Sequence, residues 1–384
     1  MIDTVAVAGY RSLRDLVLDL GPLTVITGGN GTGKSALYRS LRLLAECALG
    51  GAVAALAGEG GLNSTLWAGP EQGTRRRGGL AQGTVRTGPV ALRLGFAGKD
   101  DLGYAVDLGL GQNAGTAFIH DPEIKTEQIF TGALARPGAV LDERRGPAVR
   151  VREPRGDWTS VARLRPFDSM LAEVVDPRGA PEIVAMRERL RGWRFYDHLR
   201  TDAAAPARQV QVGTRTTALA HDGADLAAAL VTARELGRGE EIDEAVDLAF
   251  PGSKVSVQVD GGRFLPQLAR PGLLRPLVAA ELSDGTLRYL LWVAALLSPR
   301  PPELLVLNEP ETSLHPDLLP ALAAMMHRAA RDSQLVVVTH SEPLAAALTA
   351  EGVQQHELRL DAGETVVAGR DGPLDQPAWH WPTR

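Results

Sequence analysis

The octet Gly28-Gly29-Asn30-Gly31-Thr32-Gly33-Lys34-Ser35 limits the possible folds of this chain more than any other feature. It follows an apolar run, Leu23-Thr24-Val25-Ile26-Thr27, and precedes a segment in which Leu37, Leu41 and Leu44 recur on one helical face. An uninterrupted apolar strand is buried on both sides, as in a parallel sheet. Glycines let the loop curl so that successive N–H groups converge, and the helix start adds its positive end. A strand, this loop and a helix in that order form the P-loop pattern of an α/β phosphate-binding fold. Lys34 is placed to reach β- and γ-phosphates, and the Ser35 hydroxyl to ligate Mg²⁺. Lys34 is one of four lysines among 41 basic residues, so a lysine inside a motif stands out. The arginine excess, with much alanine and glycine, reads as the bias of a GC-rich genome.

A phosphate loop needs a carboxylate partner. The buried strand Glu303-Leu304-Leu305-Val306-Leu307 ends in Asn308-Glu309-Pro310, and open α/β sheets place their sites at such strand ends. Glu309 is the natural base for an attacking water. A second buried strand, Leu335 to Thr339, is followed by His340, which can donate to a γ-phosphate oxygen. Upstream, Leu282-Ser283-Asp284-Gly285-Thr286 starts a helix expected over Asp284 to Leu297. Ser283 alone reads as an N-cap, and a capped helix start is also a phosphate site.

These motifs, in this order, resemble the ABC-type ATPase heads of the RecF, SMC and OLD class. The nearest type is the stand-alone ATPase with an AAA15/AAA21-type domain. The match is strongest over 1–47 and 275–345. The resemblance implies a P-loop NTPase with an ABC-type head: a mixed or parallel core sheet, an antiparallel β layer and an inserted helical lobe. It implies that two heads enclose two ATP molecules. Gly28 to Ser35 would hold the nucleotide, with Lys34 catalytic. Ser283 and Gly285 would cap the γ-phosphate of the other protomer. Glu309 would be the catalytic base, His340 the switch histidine, and Thr312 to His315 the loop at the dimer seam. Tyr10-Arg11-Ser12 matches an opening motif whose arginine lies near the nucleotide. One departure matters. The metal position before the glutamate usually holds aspartate, and here it is Asn308. Its amide oxygen can still accept from a Mg²⁺-bound water, but charge-assisted bonds are roughly twice as strong as neutral ones. Looser Mg²⁺ binding and slow turnover are expected. No glutamine matches the family's Q-loop, and Glu173 lies in a plausible region.

The 384 residues allow two or three domains at about 150 residues each. The motifs favour one split head instead: 1–165 with the P-loop and antiparallel layer, 166–270 as a mainly helical insert, and 271–384 completing the core. The Arg75-Arg76-Arg77 triplet suggests an exposed loop. No heptad pattern persists, so no long coiled coil is expected. With 44% apolar and 23% charged residues the chain can bury a core. The lone Cys47 excludes an intrachain disulfide and a cysteine-based zinc site. No apolar run reaches the roughly 18 residues of a membrane span, and the start lacks a basic leader. A cytoplasmic protein with no membrane partner is expected.

The net charge of −5 argues against a general nucleic-acid coat protein. Two basic stretches still bear on DNA. Arg187, Arg189, Arg191, Arg194 and Arg200 surround Trp193, Phe195 and Tyr196, a mix that can bind single strands. The same mix arises where a helix end packs its aromatics and its arginines pair, which arginine abundance favours. The stretch from Arg144 to Arg165 is interleaved with Asp142, Glu143, Glu153 and Asp157, which favours pairing more strongly. The expected function is a slow ATP-driven switch that forms a homodimer on ATP. It would serve DNA maintenance or defence, with DNA and an effector or nuclease as possible partners. The alternative is a catalytically weak ATP-sensing module that regulates a partner. A transporter subunit fits poorly, because 275 residues separate Lys34 from Glu309 (309 − 34). A built-in nuclease fits poorly too, because few residues follow His340.

Overall fold

The computed structural model describes residues 1–70, 88–111, 117–370, 372 and 375–384. The arginine triplet at 75–77 lies outside the described residues. The chain begins with β1 (Thr4–Tyr10), β2 (Leu13–Asp19) and β3 (Leu23–Gly28), then α1 (Lys34–Leu49), α2 (Ala52–Gly58) and α3 (Leu62–Thr65). Six strands follow: β4 (Leu92–Ala97), β5 (Leu102–Leu110), β6 (Pro122–Thr131), β7 (Val140–Arg145), β8 (Ala148–Arg152) and β9 (Trp158–Arg163). Next come α4 (Met170–Glu173), α5 (Pro181–Gly192), β10 (Arg194–Tyr196), β11 (Gln211–Val212), α6 (Leu226–Ala233) and α7 (Gly239–Ala249). The antiparallel strands β12 (Lys254–Asp260), β13 (Arg263–Ala269) and β14 (Leu277–Val278) lead to α8 (Asp284–Leu296). The chain closes with β15 (Leu304–Asn308), α9 (Leu319–Ala329), β16 (Gln334–Val338), α10 (Glu342–Leu348), β17 (Gln354–Asp361) and β18 (Glu364–Val367).

The chain divides into two units. The first comprises residues 1–21, 26–193 and 354–384. Its main feature is an eight-stranded sheet, ordered β2-β1-β4-β5-β6-β7-β8-β9 among the described residues. Every pairing in it is antiparallel. Alternation explains it: in β8, Val149 and Val151 are buried while Arg150 and Arg152 take the other face. Helix α1 buries Leu37, Leu41 and Leu44 on its apolar stripe, as the spacing predicts. Its 16 residues make it the longest helix among the described residues, so they hold no long coiled coil.

The inward face of the eight-stranded sheet also carries charge. Asp142 on β7 is 1% exposed, and its Oδ2 is buried with no hydrogen-bond partner among the described residues. Burial, aided by the Glu182 carboxylate, pushes its acid up to about 7. The folded chain therefore holds a proton that the unfolded chain has lost above about pH 4. Stability from this group must fall as pH rises from about 4 to 7. Asp142→Asn should raise stability by roughly 1–3 kcal/mol at pH 8 and change little at pH 4.5. Thermal unfolding at the two pH values checks this; an equal effect at both contradicts it.

The second unit comprises residues 22–25 and 194–353. Its sheet has β10, β15 and β16 in parallel, with the first half of β3 beside β16. The all-apolar strands Leu304–Leu307 and Leu335–Val338 are fully buried, as expected of a covered parallel sheet. Helix α8 is apolar nearly all round, and ten of its side chains, Leu290, Leu291 and Trp292 among them, enter the core. A separate antiparallel sheet, β11-β13-β12 with β14 on β13, completes the unit.

Residues 166–270 hold strands as well as helices. Arg194–Tyr196 is a strand that pairs with Leu305–Leu307, and β11, β12 and β13 are strands as well. Residues up to Trp193 pack with the first unit and those from Arg194 with the second. Buried Tyr196 donates to the Leu219 carbonyl at 2.8 Å, an acceptor 23 residues away. No local pattern discloses that partner.

Candidate functional site

In the first unit the P-loop lies between β3 and α1. Gly28 has φ +146°, and a Cβ there would come 2.4 Å from the Leu358 carbonyl oxygen. Gly33 has φ +98°, and a Cβ there would meet the Thr365 hydroxyl at 2.2 Å. Both conformation and space therefore require glycine at these ends of the loop. Lys34 is 6% exposed, and its ammonium donates to the Gly28 and Gly29 carbonyls at 2.6 and 2.7 Å. Thr32 Oγ1 donates to Gly29 O at 2.9 Å, which tightens the turn. Asn30, Gly31 and Ser35 are exposed, so the loop's outer rim and the proposed Mg²⁺ hydroxyl are open to solvent.

The Tyr10-Arg11-Ser12 turn stands against this loop. Thr365 Oγ1 lies 2.8 Å from Ser12 Oγ and 2.9 Å from the Thr32 carbonyl oxygen. Arg11 has φ 51° and donates to Glu59 through Nε at 3.2 Å and Nη2 at 2.6 Å. That bond holds its guanidinium charge more firmly than usual. Tyr10 donates to the same carboxylate at 2.6 Å, and burial with Glu59 pushes its phenol up. The structure thus pairs Arg11 with a carboxylate of its own unit.

The carboxylate loops belong to the second unit. Asn308 ends β15, and its Oδ1 is buried without a hydrogen-bond partner among the described residues. An orphaned buried acceptor fits an outer ligand to a hydrated cation. Glu309 follows with φ 49°, its N–H bonded to the Val338 carbonyl at 2.7 Å. Such a backbone is strained for a residue with a side chain, and it turns Glu309 out of the strand. Glu309 Oε1 lies 3.5 Å from His340 Nδ1.

The sequence reading gave Glu311 no role. Its Oε1 accepts from the Thr339 hydroxyl at 2.6 Å and from the His340 and Ser341 N–H groups at 3.1 and 3.2 Å. It also lies 3.3 Å from His340 Nδ1. Glu311 therefore anchors the loop that carries the histidine. Its place two residues after Glu309, across a proline, was the available signal.

Ser283 caps α8, its Oγ accepting from the Thr286 N–H at 3.3 Å. Ser283, Gly285 and Thr286 line an open cavity of about 630 Å³ with Ser313, Leu314 and His315. A Cβ on Gly285 would come 2.9 Å from the Ser313 carbonyl oxygen, so the two loops touch.

The family model described as "AAA domain, putative AbiEii toxin, Type IV TA system" matches residues 23–347. The chain belongs to this AAA_21 family. No curated protein sequence matches it. Among solved structures, the AAA_21 chain resembles an SMC head bound to the C-winged helix domain of ScpA. That likeness has 12% identity and TM-score 0.53, and covers 96% of this chain and 97% of that one. It also resembles an Smc head domain with an extended coiled coil, bound to the C-terminal domain of ScpA derived from Pyrococcus furiosus. Identity is 12% and TM-score 0.50, covering 96% of this chain and 95% of that one. At such identity the likeness speaks to fold alone: the AAA_21 chain has the fold of an SMC head domain.

A second residue missed from sequence is Arg208. It is 8% exposed and donates to the Ala279 and Leu282 carbonyls at 3.0 and 2.6 Å and to Asp284 at 2.6 Å. It fixes the backbone that presents Ser283, from 76 residues upstream of Asp284. Several side chains of the basic aromatic stretch at 187–200 have partners within the chain. Trp193 is buried against Phe96 at 5.0 Å, Arg189 pairs with Asp101, Arg191 with Glu188, and Arg200 with Asp202. Glu173, at the end of α4, is exposed.

Proposed function

We propose that this AAA_21 chain binds ATP with Mg²⁺ at the P-loop, hydrolyses it slowly and forms a homodimer around two ATP. The observation that carries this is the P-loop itself, glycine-bound at Gly28 and Gly33 with Lys34 buried beneath it. When bound, Mg²⁺ would neutralise phosphate charge; the family resemblance assigns Ser35 and the Asn308 amide to it. Glu309 is the base that takes the proton of the attacking water, and His340 donates toward the γ-phosphate. The shared cavity of Ser283, Gly285 and Ser313 to His315 supports a seam for the second copy. Such a dimer is a switch, serving DNA maintenance or defence against foreign DNA in the cytoplasm. The family description names a type IV toxin–antitoxin toxin, which favours coupling to an effector. Among the described residues no helix is long and apolar enough to cross a membrane.

Asn308 favours a second reading, an ATP sensor that barely turns over. Phosphate release over hours, beside sedimentation with and without ATP–Mg²⁺, separates the two. The proposal expects an ATP-dependent doubling of mass and slow but catalytic phosphate release. Asn308→Asp should lower the Mg²⁺ needed for half-maximal turnover, by about threefold or more. A chain that neither binds ATP nor changes mass refutes the proposal.

A further inference from the structure

Away from the motifs above, one concave surface of the first unit joins positive charge to aromatic rings. One face of β7–β9 and tail residues His380 to Thr383 enclose a cleft of about 580 Å³. Register builds it. Glu143 stands opposite Arg150 and Arg152 opposite Trp158, so these side chains share a face, with Arg145 beside them. Arg136 at the rim makes four arginines around the single carboxylate of Glu143. The chain as a whole has more acids than bases, 46 against 41, so this lining reverses the overall balance.

One carboxylate does not neutralise four guanidinium groups. Glu143 accepts from Arg145 Nε at 3.1 Å and also from Arg150, which orients both. Arg152 Nη1 donates to the Gly138 carbonyl at 2.9 Å, while its Nε is buried without a partner among the described residues. Arg150 and Arg152 lie 5.4 and 5.5 Å from the Trp158 ring centre. The tail wall carries half-buried Trp381, set edge-on to Trp379 at 5.3 Å.

We propose that this cleft binds a nucleotide unit, its phosphate on Arg145 and Arg150 and its base against Trp381. Planar guanidinium groups match phosphate oxygens pairwise, and tryptophan rings stack on bases. The volume lies within the range of about 300–1,000 Å³ of small-molecule sites. A free nucleotide and a unit of a single strand offer the same chemistry. The site stands apart from the P-loop and does not depend on ATP turnover.

The test uses the full chain carrying Lys34→Ala, to silence the P-loop. Titration calorimetry at about 50 mM salt, where screening is modest, compares AMP, an oligothymidylate of about ten nucleotides and inorganic phosphate. Binding by AMP assigns a free nucleotide; binding by the oligonucleotide alone assigns a strand. In either case Arg145→Ala/Arg150→Ala should weaken binding by about tenfold or more. Trp381→Ala should weaken the nucleotide probe but not phosphate, and it serves alone if the arginine variant melts early. The proposal is overturned if no probe binds, if both variants bind unchanged, or if phosphate binds as tightly as the nucleotide. ATP binding by the wild type, measured in parallel, separates failure of the cleft from failure of the P-loop reading.

Discussion

Arg144→Ala is expected to destabilise the first unit by roughly 3–5 kcal/mol, the usual cost of stripping one partner from a buried ion pair. Arg144 and Glu127 are both wholly buried, with Nη1 3.3 Å from Oε2. The guanidinium also donates to the Gly146, Arg165 and Pro166 carbonyls at 2.8, 2.8 and 3.2 Å, and to that of Asp168. Glu127 accepts from Tyr104 at 2.7 Å, Ser169 at 2.6 Å and the Met170 N–H at 2.8 Å. Alanine would leave a buried carboxylate without its cation and several carbonyls without donors. Removing both charges, as Arg144→Met/Glu127→Gln, should restore at least half of the loss, because the penalty lies in the unpaired charge. Urea unfolding of the single and double variants reads both effects. A single-variant loss below about 1 kcal/mol would contradict a structural role for this pair.

Glu309→Gln should lower the turnover number by about 10²–10⁴, the span that a positioned general base supplies. The amide keeps the shape of the carboxylate but cannot take a proton from water. ATP affinity should be nearly unchanged, since the P-loop residues are untouched, and the ATP-bound dimer should persist longer than in the wild type. His340→Ala should lower turnover less, because the role proposed for His340 is to donate a bond and not to accept the proton. Rapid-quench phosphate release and sedimentation check the pair. Undiminished turnover in Glu309→Gln would remove Glu309 from the role of base.

Two signals tied sequence to structure closely. The strands around the P-loop and before Asn308 and His340 are uninterrupted apolar runs, and a run of that kind has few places to go except the middle of a covered sheet. Helix α8 followed from the serine cap and an apolar stretch, with its end one residue short of the expected Leu297. After β15 a short turn at Pro316–Leu318 leads into α9 at Leu319. The basic stretches were harder. Asp142 and Arg144 are charged, yet β7 turns both inward. Arg145, Arg150 and Arg152 read as paired with neighbouring acids, but strand register leaves them one carboxylate among them within the cleft.

The sequence alone determined the phosphate loop, the buried apolar strands and the capped start of α8, because each depends on residues within a few positions of one another. Glycine at tight φ, apolar runs and a capped helix start are local physics, and local physics is written in local spacing. Tertiary structure decided that Glu311 anchors the histidine loop, that Arg208 braces the serine loop, and that Arg144 is core. These roles depend on partners 29, 76 and 17 residues away. A buried polar group takes whichever partner the fold brings within about 3 Å, and chain spacing does not encode that choice.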